Sequence, residues 1–221
     1  MIRRRDLLAA TATSLAATSL AAPAARALLP VARGNYLRFR ILREGRQIGT
    51  HDLSFAPEPH RLVVRIAIRI HLALGPLPLF SYRHDGVESW LDERFVGFHS
   101  RTEDNGRRLH TWVRRTGEGL VVQGSTQPRY IAPADALPTT YWNSAFLDAP
   151  MIDSQSGRLL HPHVHYAGTD EIWVAKGLRV AAEHYRLTGD LRLGIWYDPD
   201  RIWIGLAFKG SDGSRITYER L

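Results

Sequence analysis

Cysteine is absent from the chain, and lysine and methionine occur only twice each in 221 residues. Without Cys there is no disulfide, no thiolate-held zinc or iron–sulfur cluster and no Cys nucleophile. The shortage of lysine leaves arginine as nearly the whole basic complement. Those arginines fall singly along strand-like segments, as Arg38, Arg40, Arg65 and Arg69 do, and not in a block. That scatter argues against a nucleic-acid surface. After residue 27 no window approaches the ~18 apolar residues of a spanning helix, so no transmembrane span is expected in the mature chain. There is no Gly-x-Ser-x-Gly elbow, no P-loop, no dinucleotide-type glycine cluster after a strand and no His-Glu-x-x-His. No cofactor is expected.

What is present starts at the N-terminus. Arg3-Arg4-Arg5-Asp6-Leu7-Leu8 precedes a soft run of Ala, Leu, Thr and Ser over 9–25, and then comes Ala25-Arg26-Ala27. A basic start, a weakly apolar middle and a small-residue cleavage site describe an export signal, and the paired arginines before Leu-Leu suit the twin-arginine machinery. The expectation is a signal peptide over 1–27, a short linker over 28–34 and a periplasmic domain over 35–221. Removing Arg3, Arg4, Arg5, Arg26 and Asp6 from 29 basic and 22 acidic residues leaves 25 and 21, a net charge of +4 in place of +7.

Strand signals dominate the remainder. From Leu62 to Leu72, Leu62, Val64, Ile66, Ile68, Ile70 and Leu72 alternate with Val63, Arg65, Ala67, Arg69 and His71. A helix would scatter those arginines around its circumference, whereas a strand puts them all on one wet face. Eleven alternating residues are about twice an ordinary strand, which suggests a strand curling around an open or half barrel. Glu44-Gly45 and Asp104-Asn105-Gly106 are hairpin turns, because Asn and Gly accept positive φ. Periodicity fades over 125–138, and 139–147 is the one short helix expected, capped by Thr139 or Thr140. The fold class is therefore all-β: a single domain of long antiparallel strands with one short helix, the 125–150 segment crossing the mouth or the concave face of the open or half barrel.

Three groups of residues carry candidate chemistry. His161, His163 and His165 share a strand face and can converge on a metal, although Leu160, Val164 and Tyr166 look like the core-facing set and Pro162 suggests an edge strand. Tyr82, His84, Glu88 and Trp90 share one parity, so ionisable groups sit beside aromatics. His84 and Glu88 could be an acid/base pair, or could simply bond neighbouring strands. Tyr141, Trp142 and Asn143, with Trp196, form aromatic–polar knots suited to anchoring a loop or lining a pocket.

In order along the chain, Gly45-Arg46-Gln47-Ile48-Gly49-x-His51, Tyr82-x-His84, Glu88-x-Trp90, Tyr141-Trp142-Asn143, Ile152-Asp153-Ser154-Gln155-Ser156-Gly157, Arg186-Leu187-Thr188-Gly189, Trp196-Tyr197-Asp198 and Gly213-Ser214-Arg215-Ile216-Thr217-Tyr218 make a series. In that series the chain resembles the exported bacterial proteins of domain of unknown function family 6134, over essentially its whole mature length. The resemblance implies an antiparallel β architecture and a site outside the cytoplasm. It brings no established activity and no catalytic residues.

The functional expectation is a non-enzymatic module binding a lipid, another apolar or amphipathic ligand, or a hydrophobic partner segment in the concavity. Tyr82, His84, Glu88 and Trp90 would line it, and Tyr141, Trp142 and Asn143 would close it. The alternatives are a metal- or His/Glu-dependent hydrolase and a structural β domain with no small-molecule site.

Overall fold

The period-two run around Ile66 forms the long strand β3 (Arg61–Leu74), one of the central strands of the sheet. The computed structural model describes residues 29–74 and 77–221, so the leader over 1–27 lies outside the described residues. In chain order come β1 (Tyr36–Arg43), β2 (Arg46–Glu58), β3, β4 (Leu77–Leu91), β5 (Arg94–Asp104), β6 (Arg107–Arg115), β7 (Leu120–Gly124) and β8 (Gln127–Ala132). Three two-residue strands follow, β9 (Leu137–Pro138), β10 (Met151–Ile152) and β11 (Leu159–Leu160). Then come β12 (His163–Val174), β13 (Leu178–Thr188), β14 (Leu193–Tyr197), β15 (Trp203–Lys209) and β16 (Arg215–Arg220).

Thirteen of these strands make one antiparallel sheet in the order β12-β13-β14-β15-β16-β1-β2-β3-β4-β5-β6-β7-β8. The chain starts in the middle, at β1, and meanders to one edge at β8. It then crosses the concave face and resumes at the opposite edge, β12, before meandering back to pair β16 with β1. The fold is all-β and open, as the alternation implies. Asn105 and Gly106 take the positive φ values of 48° and 88° that their hairpin requires.

The crossing segment, 133–162, is the plug of the half barrel. It holds the small sheet β11-β10-β9 and a 3-10 turn over Ser144–Asp148. Its Trp142, Phe146, Met151 and Ile152 are buried against Phe39, Leu53, Val64 and Val122 of the large sheet. Two glycines permit its closest approach. A Cβ at Gly124 would lie 2.0 Å from the Ser156 carbonyl oxygen, and Gly157, at φ 75°, sits directly against Gly124. Ser100 Oγ donates to the Ser154 carbonyl at 2.6 Å, and Tyr130 Oη to the Gly157 carbonyl at 2.8 Å.

Four sequence expectations need correction. The expected helix over 139–147 is only the 3-10 turn from Ser144, and its cap is Asn143, whose Oδ1 accepts from the Ala145 N–H at 3.1 Å. The cause is that Leu137 and Pro138 pair with β10, after which the Thr140 and Trp142 N–H groups bond back two residues and Tyr141 takes a φ of 69°, none of which a helix admits. The stretch over 125–138 contains strand β8, whose mixed burial hides its period. The alternating residues from Leu160 to Tyr166, which read as one strand, divide between the short β11 and the long β12, the latter bulged between Tyr166 and Gly168. Tyr166 keeps the parity of Val164 and its ring lies 5.5 Å from that of Tyr185, but on the edge strand β12 it is 60% exposed, so it is not a core residue. Among the described residues no helix is long and apolar enough to cross a membrane.

Candidate functional site

Cross-strand rows on the concave face decide which side chains meet. One row runs Phe39, His51, Ile68, His84, Thr102 across β1 to β5. A second runs Phe55, Val64, Glu88, Phe98. A third runs Leu206, Tyr218, Ile41, Gly49, Ile70, Tyr82 from β15 to β4. The plug covers the first two rows and stops short of the third.

Under the plug lies a buried polar group. Glu88 is fully buried, and its Oε2 accepts the indole N–H of Trp90 and that of Trp142, each at 2.9 Å. Burial raises its pKa against the opposing hydrogen bonds from Thr140, Trp90 and Trp142. His84 Nδ1 lies 2.8 Å from Thr102 Oγ1, and burial lowers its pKa to about 4 despite Asp85 and Asp153 nearby. His51 is buried among Phe39, Trp203 and Tyr218 with neither ring nitrogen bonded, and burial, with His84 adding to it, lowers its pKa to about 3. His84 and Glu88 bond different partners and not each other.

Beyond the plug, at the third row, the concavity stays open. A cavity of about 660 Å³ lies there, with Ile68, Ile70, Leu193, Leu206 and Phe208 among its walls and Tyr82, Tyr141 and Tyr218 lining it. Its rim carries charge of both signs: Arg43, paired with Asp212 at 2.5 Å, together with Arg158, Asp190 and Arg192. Cavities of this size and lining, ~300–1,000 Å³ with few polar groups, are the usual form of small-molecule sites. A second hollow, about 780 Å³, opens at the other end beside Trp90, Asn143, Arg201 and Arg220 and is rimmed by Asp135, Asp148, Asp198 and Asp200. Its dense charge makes it a solvated groove.

The expected site residues therefore part company. Tyr82 and Tyr141 reach the 660 Å³ cavity, Trp90 and Asn143 line the second hollow, and His84, Glu88 and Trp142 form the packed interior between them. Trp196 faces the convex side, where its indole N–H donates to Asp170 Oδ2 at 3.0 Å and its ring stacks on His184 at 4.3 Å. Its parity was readable, since Ile195 and Tyr197 on either side are buried. His161, His163 and His165 are exposed at the free edge beside β12. Among the described residues no group of three or more His, Cys, Asp or Glu side chains can hold a metal ion. Sequence reasoning passed over Tyr218 and Ile70 as site residues. The alternation of Ile216 with Tyr218, and of Ile68 with Ile70, was the available signal.

A family model described as "Domain of unknown function (DUF6134)" matches residues 39–221. The chain belongs to that family. No curated protein matches it. Among solved structures, the DUF6134 chain is similar to a beta-barrel-like protein of domain of unknown function DUF1849 from Brucella abortus. The TM-score is 0.58 at 7% identity, over 84% of this chain and 94% of that one. At that identity the likeness is one of fold, and it agrees with the open antiparallel sheet described above.

Proposed function

We propose that this DUF6134 protein is a non-enzymatic binding module of the periplasm that takes an apolar or amphipathic ligand into the 660 Å³ cavity. The carrying observation is that the plug fills only part of the concavity and leaves a cavity with apolar walls, lined also by Tyr82 and Tyr218 of the sheet and Tyr141 of the plug. A folded chain leaves such a space dry and unfilled only at a loss of packing, and occupation by a ligand restores the contacts.

The test uses the mature chain and the neutral hydrophobic dye N-phenylnaphthylamine. The dye should brighten on binding, with saturation near one equivalent. Ile70→Trp puts an indole into the cavity from β3 and should weaken binding at least about tenfold with the thermal midpoint little changed. Absence of dye binding, or binding untouched by Ile70→Trp, removes this reading.

The leader supports export in the folded state. Arg4-Arg5→Lys-Lys should hold the precursor in the cytoplasm, as read by fractionation and immunoblotting. Normal export of that variant would rule out the twin-arginine route.

A further inference from the structure

Five of the chain's eight tyrosines place their hydroxyl in a hydrogen bond: Tyr36, Tyr130, Tyr166, Tyr185 and Tyr197. The other three, Tyr82, Tyr141 and Tyr218, have no such partner among the described residues, and all three line the cavity. Tyr141 and Tyr218 flank the buried Trp203, with ring centroids 5.6 Å and 6.0 Å from it. Tyr218 and Tyr82 end the segment of the third row that passes through Gly49. The three hydroxyls are not sealed in the core but open to the cavity, so they are donors available to whatever occupies it.

Charge at this cluster has one sign. Burial raises the pKa of each of the three phenols; Tyr82 and Tyr141 are further disfavoured from ionising by their neighbours in the cluster and by Asp153, and Tyr82 also by Asp104. They stay protonated and act as hydrogen-bond donors. The cavity's arginines belong to its rim: Arg43 is held by Asp212 and Ser214, and Arg158 and Arg192 are exposed. Asp153 is fixed in place, accepting from Ser156 Oγ at 2.5 Å and from the Gln155 N–H at 3.0 Å. A carboxylate or phosphate brought to the tyrosines would give up water for uncharged phenol donors and face Asp153. A neutral oxygen would be satisfied there.

We propose that the ligand is an apolar molecule carrying a neutral oxygen acceptor, a carbonyl, ester or hydroxyl, which docks against the Tyr82, Tyr141 and Tyr218 hydroxyls, and that molecules with an anionic head are excluded from this end of the cavity. At the ~30 Å³ of a liquid water, 660 Å³ suits about twenty non-hydrogen atoms, a single chain or a small ring system. This inference rests on the binding reading above and narrows its chemistry.

Methyl palmitate, cetyl alcohol and palmitate share one chain length and differ in the head. Each is used to displace N-phenylnaphthylamine from the mature protein at mildly alkaline pH, where palmitate is ionised. The two neutral ligands should displace the dye at roughly tenfold lower concentration than palmitate. Tyr82→Phe combined with Tyr218→Phe should weaken the neutral ligands about tenfold, the loss of two hydrogen bonds, while binding of the dye and of palmitate stays as before. Palmitate binding as tightly as the ester, or neutral ligands indifferent to the double Phe variant, overturns the proposal while leaving the apolar cavity in force. Failure of the dye itself to bind removes both readings, so the two failures are distinguishable.

Discussion

Trp142→Ala should lower the free energy of unfolding of the mature chain by about 4–5 kcal/mol, measured by urea denaturation. Removing a fully buried indole costs ~3–5 kcal/mol through lost transfer energy and the cavity left behind. Trp142 is fully buried, with Phe55 at 5.3 Å and Trp90 at 5.4 Å, both edge-on. Its loss also strips one of the two indole donors from the buried Glu88 Oε2. Glu88→Leu tests the other side of the bond. It strands two indole N–H groups in the core, at ~1–3 kcal/mol for each unpaired donor. The two substitutions should be non-additive, with a coupling of at least about 1 kcal/mol, because they break one shared interaction. Single-domain stabilities lie near 5–15 kcal/mol, so either variant leaves the fold marginal. A Trp142→Ala loss below about 2 kcal/mol would mean that the plug is an appendage of the sheet and not part of its core.

Acid should destabilise the protein through its two buried histidines. His51 and His84 have folded pKa values of about 3 and about 4, lowered by burial from the ordinary 6.5. Below 6.5 the unfolded chain binds protons that the folded chain refuses, so stability falls as pH falls, until each folded pKa is reached. Between pH 7 and about 4.5 this amounts to roughly 2.5 kcal/mol per histidine at ~1.4 kcal/mol for each pH unit. Glu88 works in the opposite sense. Its pKa is raised, so its protonated folded form loses stability relative to the unfolded chain as pH rises above 4.5, and regains it on acidification. The histidine contribution is therefore read as a difference between proteins. His51→Phe, packed among Phe39, Trp203 and Tyr218, should gain about 2.5 kcal/mol on the wild type between pH 7 and 4.5, whatever the offset at pH 7. Parallel pH profiles for the two proteins would show that His51 is not a buried neutral ring.

Much of the architecture was legible because the rule that encodes it is local. The alternation around Ile66 and the Asn105-Gly106 turn report burial and backbone handedness from adjacent residues alone. The site was only partly legible, because parity says which face a side chain is on and not what stands above it. Tyr82, His84, Glu88 and Trp90 all point inward as their spacing implies, yet only Tyr82 meets the 660 Å³ cavity. Tyr166 was misread for the same reason: its parity is that of Val164, but on the edge strand β12 it is left 60% exposed.

By itself the sequence determined the fold class, the outward histidines at the β12 edge and an export leader as an expectation. These follow from residue type and spacing within a few positions. The tertiary structure alone decided how far the segment over 133–162 fills the concave face, that two indoles from different elements share the Glu88 carboxylate, and that a cavity remains between Tyr141 of that segment and Tyr82 and Tyr218 of the sheet. Those outcomes depend on cross-strand register over a curled sheet of thirteen strands. Register brings together residues far apart in the chain, such as Tyr82 and Tyr218, and no local pattern records their meeting.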